Sequence, residues 1–297
     1  MIYAFMSGKR EQDRYVKMLA ASCGAKIVQT RHFISLQPGH NDVPPRLVKK
    51  RFLAGVTGII FAGVLRGNAH LFKMAQDQRL DVYYIDHAYF ERGYKSPYWM
   101  RVTKNGFIQN SILPGVNSDR YINNFNYEFR DYNFKDKKNI LVLPPSAVLS
   151  KVFNQYEWEK NTIKELRKYT DRPIVIRRKS GPSIDDLLMN VMKSKNVDVY
   201  EKSLEEEFED AYCVVSFNSA ATLDALRLGI PVICDKFCPA FPLTHTFDQI
   251  EDLQEKERLP LFSSLAHGQY TLEEAANPKT FKYLNSMKQW KGNIYEV

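Results

Sequence analysis

The chain has 297 residues, 44% apolar and 26% charged, with a formal net charge of +8. That length suits one large α/β domain or two of about 140 residues, and the globular composition excludes a disordered, collagenous or coiled-coil chain. No apolar run approaches the roughly 18 residues of a membrane helix, so no membrane span is expected. The start MIYAFMSGKR lacks a signal peptide's apolar core and cleavage site, so a cytoplasmic location is expected. The four cysteines, Cys23, Cys213, Cys234 and Cys238, form no zinc pattern: Cys234 and Cys238 are not spaced as CxxC, and His245 is a lone neighbour. Reduced, packed thiols are expected, and no metal. Charge is uneven. Residues 1–139 carry 22 Lys+Arg against 11 Asp+Glu, a balance of +11, and residues 140–297 carry 20 against 23, a balance of −3. A basic half beside a slightly acidic one fits a chain of which one half meets a polyanion; the alternative is that these lysines only solvate a surface.

In chain order, residues 11–22 have helical spacing, 25–30 read as a strand, 45–55 as a basic helix and 55–65 as a buried apolar strand. A helix over 68–80 and a strand over 81–86 follow. Continuous apolar strands divided by amphipathic helices predict a parallel sheet covered on both faces. Residues 91–135 break the rhythm, with Gly93, Pro97, Pro114 and Gly115 punctuating a stretch rich in Tyr, Phe and Asn. From 137–146 the alternation restarts: a strand, a helix near 156–169, the strand 173–178, a helix opened by Ser183 and the strand 197–200. A helix with the capping box Ser203…Glu206 comes next, then the strand 213–217, the helix 218–229 and the strand 231–235. The reading is α/β: two doubly wound, Rossmann-like domains facing a cleft. The first spans 1–136 and the second 137–297, with a C-terminal helix able to cross back.

The segment VVSFNSAATLDALRLGIPVICD (214–235) carries the most information. A buried strand stops at Phe217, and Asn218, Ser219, Ala220 and Ala221 open a helix with small residues that admit a ligand to the backbone. Helix N–H groups with Ser216, Asn218 and Ser219 suit a phosphate; the plain alternative is that Asn218 only caps the helix. The pattern Ser216-x-Asn218-Ser219, continued by Asp224-Ala225-Leu226 and by Gly229-x-Pro231-Val232-Ile233, resembles the donor-binding segment of GT-B glycosyltransferases. It is most similar to the capsule-polysaccharide, Kdo-transferase-like group and its bacteriophage relatives. YIDHAYFERG (84–93), RVTKNGF (101–107), PLTHTFDQIED (242–252) and LAHGQYTLEEA (265–275) resemble further segments of that group, in the same order. The likeness covers most of 81–275, and residues 1–80 match only in layout. Two positions depart from the group's pattern: Asp224 stands where Glu is usual, and Ala88 where Gly is usual.

The resemblance implies a metal-independent glycosyltransferase without cofactor, its nucleotide sugar being a co-substrate; a single placed carboxylate points to inversion, and retention stays open beside it. The donor would meet Ser146, Arg177, Lys179, Ser216, Asn218, Ser219, Ala220 and Asp224, with His245, Thr246 and Glu251 toward the sugar or ribose. Cationic side chains and a helix N-terminus would then stabilise the departing diphosphate. Asp86, at a strand end, suits the general base that takes the acceptor hydroxyl's proton, with His87 as second base; the alternative is that Asp86 caps the following loop. Arg92 and Arg101 either orient Asp86 or touch acceptor phosphates. GxxxxGK[ST], HExxH and GxSxG are absent, so P-loop, zincin and hydrolase readings lack their parts.

The basic first half, with Lys49, Lys50 and Arg51 and the aromatic run 121–134, fits double-stranded DNA as acceptor. The expectation is sugar transfer to a hydroxymethylated pyrimidine, such as hydroxymethylcytosine, in phage DNA, in the host cytoplasm. Two alternatives stand beside it: a capsule or lipopolysaccharide glycosyltransferase, and a non-catalytic DNA- or nucleotide-binding protein on the same fold. Oligomeric state is not legible.

Overall fold

A computed structural model of the chain describes residues 1–8, 10–29, 55–63, 68–93, 98–125, 127–179 and 202–286. The chain divides into two compact units, Met1–Gln109 with Ala266–Val297, and Asn110–Leu265. The helices expected over 45–55 and from Ser183, and the strand expected over 197–200, lie outside the described residues.

The first unit opens with β1 (Ile2–Met6), α1 (Arg10–Cys23), β2 (Lys26–Gln29), β3 (Gly58–Ala62), α2 (Ala69–Asp77), β4 (Asp81–His87) and β5 (Met100–Lys104). The second holds α3 (Asp119–Asn124), β6 (Asn139–Leu143), α4 (Ala147–Val152), α5 (Trp158–Leu166), β7 (Ile174–Ile176) and α6 (Leu204–Glu209). It continues with β8 (Ala211–Ser216), α7 (Ala221–Arg227) and β9 (Val232–Cys234), and α8 (Leu259–Ala266) ends it. The chain then returns to the first unit as β10 (Gln269–Tyr270), α9 (Leu272–Ala276) and α10 (Pro278–Ser286).

In the first sheet β2, β1, β3 and β4 lie in that order and are parallel, and β5 and β10 extend the β4 edge antiparallel. The second sheet is parallel throughout, in the order β7, β6, β8, β9. Both parallel sets are therefore doubly wound, with the winding reversing between β1 and β3 and between β6 and β8. In open α/β sheets such a switch point is where turns at the strands' carboxyl ends part and admit a ligand.

The mixed first sheet corrects the expectation of a purely parallel one. β5 falls in the stretch where the sequence rhythm broke, because it reads MRVTK and its Arg101 is buried mid-strand, which hides a strand from a hydropathy pattern. The boundary between units also differs from the expected 136/137. Residues 110–136 side with the second unit: Leu113 N–H donates to Ser264 Oγ at 2.9 Å, Arg130 N–H to the Arg227 carbonyl at 2.9 Å, and Phe134 sits in that unit's core. The aromatic run 121–134 packs inward in part: Tyr121 and Phe129 lie at 5.6 and 4.9 Å from Phe262. Residues beyond 265 side with the first unit because α1 offers them an apolar face. Tyr15, Val16, Leu19 and Ala20 of α1 share a core with Tyr270, Ala275 and Leu284, each large apolar side chain contributing about 1.5–3 kcal/mol on burial.

The capping box expected for α6 is formed, Ser203 N–H donating to Glu206 Oε2 at 2.6 Å and Glu206 N–H to Ser203 Oγ at 3.2 Å. The four cysteines are unbridged, Cys213, Cys234 and Cys238 buried.

Gly229 ends α7 at φ +77°, and a Cβ built there would stand 2.2 Å from the Asp131 carbonyl oxygen. Gly229→Ala is expected to lower stability by about 2–4 kcal/mol, from left-handed strain plus a backbone clash. Gly115 has a similar φ of +72° and open space around it, so Gly115→Ala should cost only about 1 kcal/mol. Urea unfolding midpoints of the two variants check this; equal losses would refute the Asp131 contact.

Candidate functional site

In the first unit the candidate chemistry lies at the carboxyl end of β4. Val82, Tyr83, Tyr84 and Ile85 are buried, and the strand begins to emerge at Asp86, whose side chain is 18% exposed. The antiparallel register of β4 and β5 sets Arg101 directly opposite Asp86, and their side chains form an ion pair, Nη2 to Oδ2 at 3.0 Å. The Tyr84 hydroxyl donates to Oδ2 at 2.6 Å and the His87 N–H to Oδ1 at 2.8 Å, so both carboxylate oxygens are oriented. Burial alone would raise the Asp86 pKa, but Arg101, the Tyr84 hydroxyl and His87 outweigh it and hold the carboxyl below its ordinary value. Asp86 is thus an ionised, aimed carboxylate at neutral pH.

Arg101 is buried, its guanidinium 5.6 Å from the Tyr89 and Phe107 ring centres, and it also donates to the His87 carbonyl at 3.3 Å. Of its two expected roles the geometry favours orienting Asp86, because a surface phosphate contact needs an exposed cation. Arg92 is exposed in the turn after Phe90, between Glu91 at φ +51° and Gly93 at φ +121°. His87 is exposed beside Asp86. The sequence reading missed two residues. Tyr84 reads there only as a β4 core position. Gln269 of β10 is fully buried and accepts from the N–H groups of Tyr89 and Phe90 at 2.8 and 3.0 Å. Each stood within a quoted motif, but only the strand pairing shows what it touches.

At this unit's switch point the turn after β1 is already filled. Asp13 of α1 accepts from Ser7 N–H at 2.7 Å, Ser7 Oγ at 3.1 Å and Gly8 N–H at 2.9 Å. Among the described residues, this internal carboxylate takes the Ser7 and Gly8 donors of the turn.

In the second unit the switch point carries the small-residue turn. Ser216 ends β8 fully buried; its hydroxyl donates to the Leu143 carbonyl of β6 at 2.9 Å and accepts from Ser219 N–H at 3.1 Å. Ser219 Oγ accepts from Ala221 N–H at 3.2 Å, and Thr222 Oγ1 donates to the Ser219 carbonyl at 2.7 Å. The serines therefore build the turn. Ser216 is too deep to reach a ligand, which corrects its expected role as a phosphate donor. The N–H groups of Asn218 and Ala220 and the half-buried Asn218 amide take no partner among the described residues, and they are what the turn offers a ligand. Across the switch point Ser146 caps α4, its Oγ accepting from Leu149 N–H at 3.4 Å. Lys179 is exposed after β7, at the same end of the sheet, and Asp224 is half-buried in α7.

Arg177 follows β7, but its guanidinium is paired with Glu207 at 3.1 Å and donates to the Lys202 carbonyl at 2.8 Å. His245, Thr246 and Glu251 do not join this end. After β9 the chain doubles back: Thr244 Oγ1 accepts from Cys234 N–H at 2.7 Å and His245 N–H donates to the Val232 carbonyl at 2.9 Å. His245 is buried, its ring nitrogens on the Val232 and Gln254 backbone, and Thr246 caps a 3-10 turn with Gln249. Glu251 lies at the amino-terminal end of the sheet, bonded to Arg172 at 3.1 Å and to Thr170. These three residues brace the fold, which corrects their expected place at the sugar or ribose. Lys49, Lys50 and Arg51 lie outside the described residues.

Two cavities of about 410 and 500 Å³ in the second unit contain none of Ser146, Ser216 or Ser219. Glu251, Asp252 and Glu255 line the first together with Lys135 and Arg172, so its wall carries both signs of charge. Among the described residues no three His, Cys, Asp or Glu side chains are grouped to hold a metal ion, and no helix is long and apolar enough to cross a membrane.

No protein-family model and no curated protein matches the chain. Among solved structures, the beta Kdo 2,7 transferase of Thermosulfurimonas dismutans KpsC is similar at TM-score 0.50 and 13% identity, over 95% of this chain and 99% of that one. The beta Kdo 2,4 transferase of the same KpsC aligns at TM-score 0.47 and 13% identity, over 96% of each chain. An S. aureus MnaA–UDP co-structure aligns at TM-score 0.27 and 12% identity, over 97% of each. The first likeness shows the fold: this chain shares the mixed α/β, GT-B-type architecture of the KpsC transferase.

Two titrations follow from the geometry. The Asp86 pKa is lowered in the folded chain, so its stabilisation is complete above the unfolded value of about 4 and is lost as pH falls through the lower folded value. Asp86→Asn is expected to cost about 2–4 kcal/mol at pH 7 and to flatten unfolding-midpoint curves below pH 4. Burial, helped by Lys256, lowers the His245 pKa, so the unfolded chain binds more protons and stability falls as pH drops below about 6.5. His245→Gln should remove that part of the slope between about pH 5 and 7; an unchanged slope would refute the assignment.

Proposed function

We propose that the chain is a glycosyltransferase that moves a sugar from a nucleotide-sugar donor to a hydroxyl acceptor, with inversion and without a metal. The observation that carries the reading is Asp86, a carboxylate kept ionised and aimed at the end of a strand. Inverting transfer needs one base for the acceptor hydroxyl's proton. A carboxylate of low pKa is a weak base toward a free alcohol. It becomes competent once the acceptor oxygen has begun to bond to the anomeric carbon and its proton has turned acidic. His87, exposed beside it, is the second base. The Asn218 and Ala220 N–H groups, the Asn218 amide and Lys179 would hold the diphosphate and stabilise its departure.

The acceptor in this reading is a hydroxymethylated pyrimidine in phage DNA. The charge division supports it, +11 over residues 1–139 against −3 over the rest. Reaching the base would need approach through the major groove or extrusion from the stack. The test is to incubate purified protein with hydroxymethylcytosine duplex and a donor panel that includes activated Kdo, then digest the DNA and weigh its nucleosides. A nucleoside heavier by one sugar is expected, and Asp86→Asn should lower the rate by about 10²–10⁴ with donor binding retained. Transfer to a surface glycan alone would move the acceptor to capsule or lipopolysaccharide. Neither transfer nor donor hydrolysis would refute the enzyme reading and favour a binding protein. DNA affinity should fall steeply between 50 and about 200 mM salt, and a flat titration would remove DNA as the acceptor.

A further inference from the structure

We propose that Gln269 is a positioning residue for Asp86: its buried amide holds the turn His87–Phe90, and thereby fixes where Asp86 and His87 face. The use made of Asp86 rests on the proposed function; how Asp86 is held does not.

The fold lays three residues in one rung across three strands. Gln269 of β10 pairs with Arg101 of β5, and Arg101 pairs with Asp86 of β4. Side chains in register across neighbouring strands share a face, so all three project from the same side. From there Gln269 reaches the turn that leaves β4. Its Oε1 accepts from Tyr89 and Phe90 N–H at 2.8 and 3.0 Å, and its Nε2 donates to the Phe90 carbonyl at 3.3 Å. Arg101 holds the start of the same turn through the His87 carbonyl at 3.3 Å. Tyr89 closes the circuit: its ring centre is 5.6 Å from the Arg101 guanidinium, and its hydroxyl accepts from Gln109 N–H at 3.0 Å.

The amide is needed for its chemistry. A turn that leaves a strand presents N–H and C=O groups that, once buried, must be paired. One primary amide offers both acceptor and donor, whereas a carboxylate offers acceptors only. Alanine leaves the N–H groups of Tyr89 and Phe90 without this partner and frees the turn to shift. The His87 N–H on Asp86 Oδ1 and the Arg101 pair would shift with it. A misplacement of about 1 Å at a reacting group costs up to roughly 100-fold in rate.

The experiment uses the full chain with Gln269→Ala and Gln269→Glu, and reads the Asp86 carboxyl titration by carbon NMR alongside transfer kinetics. The groups facing that carboxyl are Tyr84, His87, Tyr89 and Arg101. Gln269→Ala is expected to move the Asp86 titration up toward its ordinary value. It should also lower kcat by roughly 10–100-fold, with KM for the nucleotide sugar within about twofold. Gln269→Glu keeps the two acceptor bonds, and its deficit should deepen as pH rises and the introduced carboxyl ionises beside Arg101. If Gln269→Ala does not fold, Gln269→Glu decides by that pH profile and by the Asp86 titration. An Asp86 titration and a kcat both at wild-type values would overturn the proposal and leave Gln269 a core brace only. A wild-type chain that transfers no sugar would refute the proposed function, and the Asp86 titration alone would then decide for or against Gln269.

Discussion

The Asp86–Arg101 pair across β4 and β5 is the constraint around which the first unit is arranged. A guanidinium that is only 8% exposed is tolerated only beside a partner, since an unpaired buried charge costs several kcal/mol. In the observed register β5 runs antiparallel to β4, so the chain turns back after the strand instead of crossing over a helix. An antiparallel edge strand in turn leaves a free edge, and β10 covers it, returning from the far end of the sequence with α9 and α10 to complete the core against α1. The ion pair, the antiparallel edge and the C-terminal return thus meet at one side of the first sheet.

The two units repeat one winding with opposite chemistry at the point where it reverses. In the first, Asp13 occupies the turn after β1 and takes the donors of Ser7 and Gly8. In the second, the turn after β8 is stiffened by Ser216 and Ser219 but leaves the Asn218 and Ala220 N–H groups without a partner among the described residues. Among the described residues, the Ser7 and Gly8 donors of the first turn are taken, while the second turn keeps N–H groups for a ligand. The proposed function places its donor at the second of these turns.

Much of this was legible along the chain. Apolar runs placed β3, β4, β6 and β8, helical spacing placed α1, α2 and α5, and the Ser203 and Glu206 spacing marked the start of α6. Asp86 stood out because a charged residue closes an otherwise buried strand. The reading failed where a side chain's role depends on what lies across from it. β5 escaped because buried Arg101 interrupts its apolar pattern, and the chain alone left open whether that residue orients Asp86 or touches the acceptor. His245, Thr246 and Glu251 followed the last strand closely enough to be grouped with the donor site. A chain reversal at Thr244 carries them to the other end of the sheet.

The sequence by itself determined the alternation of strands and helices, the small-residue turn after β8 and the carboxylate near the end of β4, because each is a local property of burial, spacing and backbone freedom. Only the tertiary structure decided which strands neighbour one another, hence that Arg101 and Gln269 stand in register with Asp86 and that Ser216 faces inward to β6. The physical reason is distance along the chain. Gln269 and Tyr89 are 180 residues apart, and a hydrogen bond of 2.8 Å between them exists only once the C-terminal segment has found the free edge of β5.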